Sequence, residues 1–150
     1  MKSFKVSVHN TCISFLNERI SSVKQSIKEA EESIHENTKS SMGDKYENSR
    51  EMATLEIDKR QAALNNLLSL QNDFQQINPE IKTKRIEKGS LLATNKALFY
   101  IAGSLGRVEV EGKSVMVISQ NAPIFQTLKG FDNEKKVIFN GSEYELIELM

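Results

Sequence analysis

Seven apolar residues, Ile13, Leu16, Ile20, Val23, Ile27, Ala30 and Ile34, recur at spacings of three and four in strict alternation. That alternation is the a/d seam of a coiled coil, sustained over three heptads. The residues between are mostly Ser, Glu, Lys, Gln and Arg, which suit a solvated face. The spacing predicts one helix from about residue 10 to residue 36, on the order of 40 Å of rod at ~1.5 Å per residue. A rod with one apolar stripe needs a second stripe to cover it.

The chain supplies one. Residues 37–43, Asn-Thr-Lys-Ser-Ser-Met-Gly, break the seam with small polar residues and a glycine. Helical signal resumes at Asp44 and runs to about Ile77, with Ala53, Ile57, Leu64, Leu67, Leu70, Phe74 and Ile77 as its apolar stripe. Arg60 and Gln71 interrupt it. Asn78-Pro79 ends the helix, because the residue before proline is pushed out of the helical region. Two long helices joined by a short turn pack antiparallel as a helical hairpin. Both halves of the seam lie in one chain, so the expected species is a monomer. Residues 1–10 are weakly patterned, with Phe4, Val6 and Val8 alternating with polar residues; they read as an extended arm or a lead-in to the first helix.

The turn between the helices carries Gly43-Asp44-Lys45-Tyr46-Glu47-Asn48. Asp44 and Glu47 are three residues apart, so on a helical turn both carboxylates point the same way. Such a pair can share a hard divalent cation such as Mg²⁺, which wants oxygen ligands. The same pair also suits a plainer role, Asp44 capping the second helix and Glu47 completing the capping pair. Lys45 and Arg50 flank the acids and either face phosphates of a partner or stay solvated. Tyr46 packs over the turn, and Met42 and Met52 serve turn and seam packing.

After a polar, basic linker over residues 80–88, with Lys82, Lys84, Arg85 and Lys88, the period changes. Runs at 91–93, 97–102, 107–111, 115–119, 136–139 and 143–149 read as strands. Residues 122–128 read as a short helix with Pro123 in its first turn. Asn140-Gly141 is the strongest β-hairpin signal in the chain. The fold class is α+β: a helical hairpin over residues 1–79, a linker over 80–88 and a small antiparallel β domain with one short helix over 89–150.

Composition excludes several function classes. Lysine plus arginine equals aspartate plus glutamate, 20 against 20, which argues against broad non-specific nucleic-acid binding but leaves room for a local basic stripe. The single cysteine, Cys12, allows no internal disulfide and no cysteine zinc cluster, and fits a reduced cytoplasmic setting. It lies off the apolar seam, with no His-Asp arrangement to make it a nucleophile. His9 and His35 lack metal-ligand partners in the sequence and read as surface or seam-edge residues. No apolar run approaches the ~20 residues of a membrane helix, and the first ten residues lack the apolar core of a signal peptide.

Taken in order, these segments resemble the bacterial Gre-type transcript cleavage factors, a family of transcription elongation factors. That family carries a Gly-Asp-x-x-Glu-Asn motif at the tip of a helical hairpin, and Gly43, Asp44, Glu47 and Asn48 fill each fixed position. Its Tyr-x-Ile-Val-Gly segment corresponds to Phe99-Tyr100-Ile101-Ala102-Gly103, and its Glu-Gly-Lys turn to Glu111-Gly112-Lys113. Its Ile-Ser-x-x-Ser-Pro-Ile run corresponds to Ile118-Ser119-Gln120-Asn121-Ala122-Pro123-Ile124, and its closing pattern to Tyr144-Glu145-Leu146-Ile147-Glu148-Leu149. The resemblance covers nearly the whole chain. Departures are Ala122 in place of serine, Leu105-Gly106-Arg107 in place of an acidic segment, about four extra residues between Lys113 and Pro123, and Lys39-Ser40-Ser41-Met42 before the tip glycine.

The resemblance implies a C-terminal domain similar to FK506-binding proteins and a partner, RNA polymerase. It implies that the hairpin enters the polymerase's secondary channel and that Asp44 and Glu47, supported by Gly43, Lys45 and Asn48, help hold a second Mg²⁺ at backtracked nascent RNA. The isolated protein is then no enzyme and holds no cofactor, since two acids alone form a weak Mg²⁺ site. Binding to polymerase falls to Ser119, Asn121, Pro123 and Ile124, because residues 1–78, with ten basic and eleven acidic side chains, give the rod little charge to bind with. Two other readings stay open: a regulator that occupies the channel without promoting cleavage, and, on fold analogy alone, a stand-alone binding or prolyl-isomerase-like module.

Overall fold

The computed structural model describes the backbone of residues 3–37 and 43–150, with side chains for 3–36 and 49–150. The architecture is α+β: two N-terminal helices, then a six-stranded mixed sheet and a short helix. The chain divides into two compact units, Phe15–Ser69 and Met1–Ser14 with Leu70–Met150.

Helix α1 spans Phe4–Asn37 and helix α2 spans Gly43–Gln75. α1 begins at Phe4, well before residue 10, so residues 4–10 lead into the first helix as part of it and are not an extended arm. The local cause is Ser3, whose Oγ accepts the Val6 N–H at 3.2 Å, a serine N-cap bond. The apolar period also extends backward: Val8, Cys12 and Leu16 are fully buried at spacings of four.

In the Phe15–Ser69 unit the two stripes of the sequence meet. Ile20, Ile27 and Leu64 are buried together, with Val23, Ile57 and Leu67 packed against them. Arg60, which interrupts the second stripe, is half-buried and donates from Nη1 to the Ser26 carbonyl at 3.1 Å. Its Nε lies 3.4 Å from Glu56 Oε1, one turn earlier on α2.

The other unit is built on the sheet. Its strands are β1 (Leu91–Thr94), β2 (Leu98–Ile101), β3 (Gly106–Val110), β4 (Lys113–Ile118), β5 (Lys136–Phe139) and β6 (Ser142–Leu149), in the spatial order β3-β4-β2-β1-β6-β5. Helix α3 (Pro123–Leu128) and a 3₁₀ turn (Lys129–Asp132) lie between β4 and β5. The expectation of a purely antiparallel sheet fails at one pair. β2 and β4 run parallel, with Leu98 opposite Val115 and Ile101 opposite Ile118. The reason is topological: β3 folds onto the outer side of β4, so β4 returns beside β2 in the same direction.

Pairing register sorts the side chains onto two faces. Leu91 stands opposite Tyr100 and Leu92 opposite Phe99, and neighbouring residues of a strand point to opposite faces. Leu92, Phe99 and Ile101 join Phe125, Leu128, Phe131, Val137 and Ile86 in the core beneath α3. Tyr100, on the other face, meets His9 of α1 and Phe74 of α2. With layers on both faces, β2 is a continuous apolar run rather than an alternating one. Asn140 and Gly141 have φ of +49° and +78°, the paired positive values a tight type I′ hairpin turn needs, and Glu111-Gly112 repeats the device. No helix among the described residues is long and apolar enough to cross a membrane.

Candidate functional site

Three groups of residues are candidates for function, and the structure treats them differently. The first is the acidic motif at 43–48. The backbone of residues 43–48 opens α2, so Asp44 and Glu47 stand three apart on one helix. The side chains of Gly43, Asp44, Lys45, Tyr46, Glu47 and Asn48 lie outside the described residues. Among the described residues no group of three or more His, Cys, Asp or Glu side chains is placed to hold a metal ion.

The second is the segment that follows β4. Ser119 Oγ accepts the Asn121 N–H at 3.1 Å, and the Ala122 N–H reaches the Ser119 carbonyl at 3.1 Å, so the chain turns sharply before α3. Ala122 is the N-cap of α3 with extended backbone, φ −65° and ψ 138°, and offers no side-chain cap bond. Pro123 fills the first helical turn, where its missing N–H loses nothing. Asn121 and Pro123 are exposed and Ile124 is half-buried.

Pro123 and Ile124 line an open groove of about 440 Å³, with Phe99, Met116, Phe139 and Tyr144 among its other walls. Ser119 and Asn121 are not part of its lining. Phe99 and Tyr144 meet edge to face at 6.0 Å between ring centres. Lys96 Nζ stands 5.4 Å from the Tyr144 ring centre, which brings one cation to a groove that is otherwise mostly apolar. The pairing of β5 with β6, Phe139 opposite Ser142, positions the far wall. A groove of this kind can take an apolar side chain or a short amphipathic segment.

The third group is one that sequence reasoning missed. Lys5, His9 and Cys12 follow one face of α1, and all three are buried. His9 Nδ1 shares a hydrogen bond of 2.7 Å with the Tyr100 hydroxyl. Lys5 Nζ donates to the carbonyls of Ile81 at 2.8 Å and Met150 at 3.2 Å. Burial lowers the pKa of His9, and the neighbouring Lys5 charge lowers it further. Burial also lowers that of Lys5, with Glu87 pulling the other way. The Cys12 thiol is pushed up to about 12 by burial, so it is inert rather than nucleophilic. Tyr100 is raised by burial and by Cys12. His9 and Cys12 are thus not surface or off-seam residues. The available signal was their spacing with Val8 and Leu16 at the helical period; the polar identities at Lys5 and His9 hid it. The cluster ties α1 to β2 through Tyr100 and to the carbonyls of Ile81 and Met150 through Lys5, which is a structural role.

No family model matches the chain, and comparison with curated proteins and with solved structures also gives no match.

Proposed function

We propose that the protein is an accessory factor of RNA polymerase that stimulates cleavage of backtracked nascent RNA, acting through Asp44 and Glu47. The observation that carries the reading is the order of the parts. Two long helices, of 34 and 33 residues, follow each other, the second opening on the Gly43-Asp44-x-x-Glu47-Asn48 motif, and a sheet with one short helix follows. A helix of that length is about 50 Å long, enough to reach down a narrow channel.

In this reading α1 and α2 form an antiparallel hairpin. Two contacts support it: Ser26 with Arg60, and His9 with Phe74, whose partners on α2 rise in number as those on α1 fall. The mixed sheet with α3 packed on one face supports the likeness to FK506-binding proteins. The groove at Pro123 and Ile124 supports docking by this domain, since exposed apolar concavities mark interaction sites.

The donor chemistry of the tip fits Mg²⁺: two carboxylates offer hard oxygen ligands, too few to strip the ion of its waters without further ligands from the polymerase. Bound there, the ion would supply charge stabilisation at a scissile phosphodiester. The chain's own part is to carry the acids to the active centre and hold them there. The deciding measurement is release of labelled 3′ RNA fragments from purified backtracked complexes, with and without the full chain. Faster release supports the reading. Binding without faster release supports the non-cleaving regulator, and no binding to polymerase removes both.

A further inference from the structure

The segment over residues 80–88 has no regular secondary structure, yet its backbone is held at many points. Ser90 is fully buried; its Oγ donates to the Arg85 carbonyl at 2.8 Å and accepts the Glu87 N–H at 3.0 Å. Thr83 Oγ1 lies 2.7 Å from the same oxygen. The Ile86 N–H donates to Asp132 Oδ1 at 2.7 Å, and the Ile86 side chain sits in the core beneath α3. Lys5 Nζ fastens the Ile81 carbonyl from the other side.

This pinned loop presents Lys82, Lys84 and Arg85 to solvent. None of the three side chains has an ion-pair or hydrogen-bond partner among the described residues, whereas the next cation, Lys88, is engaged by Asp73 at 3.7 Å and Gln76 at 2.7 Å. The segment's own acids are Glu80, exposed at its start, and Glu87, which lies in the field of Lys5; Asp132, from outside the segment, accepts the Ile86 N–H. Three unpaired cations within four residues therefore stand on backbone that does not have to order on binding. Little conformational freedom is left to lose except in the side chains themselves.

We infer that the 82–85 loop is a contact site for the phosphodiester backbone of a nucleic acid, read by charge and without sequence preference. The chain's zero net charge gives no general attraction for polyanions, so any such binding has to come from a local cluster of this kind. An acidic protein surface is the competing partner. The cluster favours nucleic acid because its charges are crowded and carry no interleaved apolar anchor except Ile81, itself 61% exposed. A protein interface instead depletes charge at its core and buries apolar anchors. The inference does not rest on the cleavage-factor reading.

The test uses the full chain and a fluorescent 20-mer single-stranded RNA, with a duplex DNA of equal length as the second arm. Binding is followed by anisotropy between 25 and 200 mM salt. Compared are wild type, the triple variant Lys82→Gln, Lys84→Gln, Arg85→Gln, and a charge-matched control, Lys129→Gln, Lys135→Gln, Lys136→Gln. Circular dichroism melts establish that each is folded. The loop variant is expected to bind about tenfold more weakly at low salt, and its log K against log salt slope to fall by about 2 for single strands or about 3 for duplex. Which arm shows the change identifies the nucleic acid. The control is expected to stay within about twofold of wild type. Equal losses in the two variants, no binding by wild type at 25 mM salt, or competition by polyglutamate as effective as by RNA would each overturn the inference.

Discussion

His9 of α1 and Tyr100 of β2 share a hydrogen bond of 2.7 Å between side chains that are 7% and 0% exposed. Phe74 of α2 touches both rings, at 5.9 Å from His9 and 6.4 Å from Tyr100 between ring centres. One polar contact thus joins the start of α1, the end of α2 and the second strand. It has a direct consequence for pH.

Burial and the charge of Lys5 hold His9 neutral in the folded protein, with its pKa below the ordinary value near 6.5. Unfolded, the imidazole takes up a proton near pH 6.5, and folded it does not until lower pH. The unfolded state therefore binds more protons as pH falls through that window, so stability is lost from about pH 6.5 downward. The charge acting on His9 is that of Lys5, of like sign, and Cys12 and Tyr100 are neutral in this range. Urea unfolding at pH 7.5 and 5.5 is expected to show a fall for wild type, with a smaller fall for His9→Gln, which fits the site without titrating. Equal falls in both would place the pH dependence elsewhere.

The hydroxyl of Tyr100 is testable at constant pH. Tyr100→Phe removes the oxygen and leaves His9 Nδ1 buried without its partner. The expected loss is about 1–3 kcal/mol at pH 7.5, the desolvation penalty of an unsatisfied buried polar group. A loss under about 0.5 kcal/mol would mean that the site relaxes around the missing oxygen.

Gly103, three residues after Tyr100, makes a second close approach. A Cβ at this position would collide with the Leu70 side chain and come within 3.2 Å of Phe74 Cε2. Leu70 can turn its flexible end aside, but Phe74 is fully buried and cannot. Gly103→Ala is expected to destabilise by about 1–3 kcal/mol through overpacking. Leu70→Ala made alongside it is expected to recover part of that, measured as a non-additive double-mutant cycle.

These residues also show what the sequence made legible. The heptad spacing identified both helical stripes, since buried apolar positions on a helix have to recur at three and four. Turn chemistry located the strands, because only positions such as Asn140-Gly141 tolerate paired positive φ. Two things were not legible. The parallel pairing of β2 with β4 is a long-range choice that no local pattern encodes. The buried polar face of α1 was hidden because Lys5 and His9 are polar by type, and their burial depends on carbonyls and a hydroxyl contributed from distant sequence. Of the candidate sites, the motif at 43–48 is placed by its backbone alone, at the opening of α2 where the sequence has helical signal resuming. The groove at Pro123 was legible only in part: Phe99, Met116, Phe139 and Tyr144 are brought to it by the sheet.

The groove carries the docking prediction. Pro123→Ala and Met116→Ser alter exposed or rim positions, at little expense to the core. Each is expected to weaken binding of the full chain to RNA polymerase by about 1 kcal/mol or more, as truncations in an interface core do. Asn121→Ala, outside the groove lining, is expected to weaken it less. Binding unchanged in all three would move the docking surface elsewhere.

The tip acids carry the mechanistic prediction. Asp44→Asn and Glu47→Gln preserve side-chain shape and remove the negative charge that suits a hard cation. Asp44 stands in the first turn of α2, where a negative charge contributes about 0.3–1 kcal/mol, so thermal melts of each variant check that folding is kept. Folding and polymerase binding are expected to stay within about twofold of wild type. Stimulated cleavage at saturating factor is expected to fall to the polymerase's intrinsic rate in each variant. A variant that retains one acid should recover partially as Mg²⁺ is raised, because weaker ligation is offset by mass action. The double variant should not recover. Cleavage by the double variant at the wild-type rate would show that the acids do not act in the reaction, and would favour the reading of a regulator that occupies the channel without promoting cleavage.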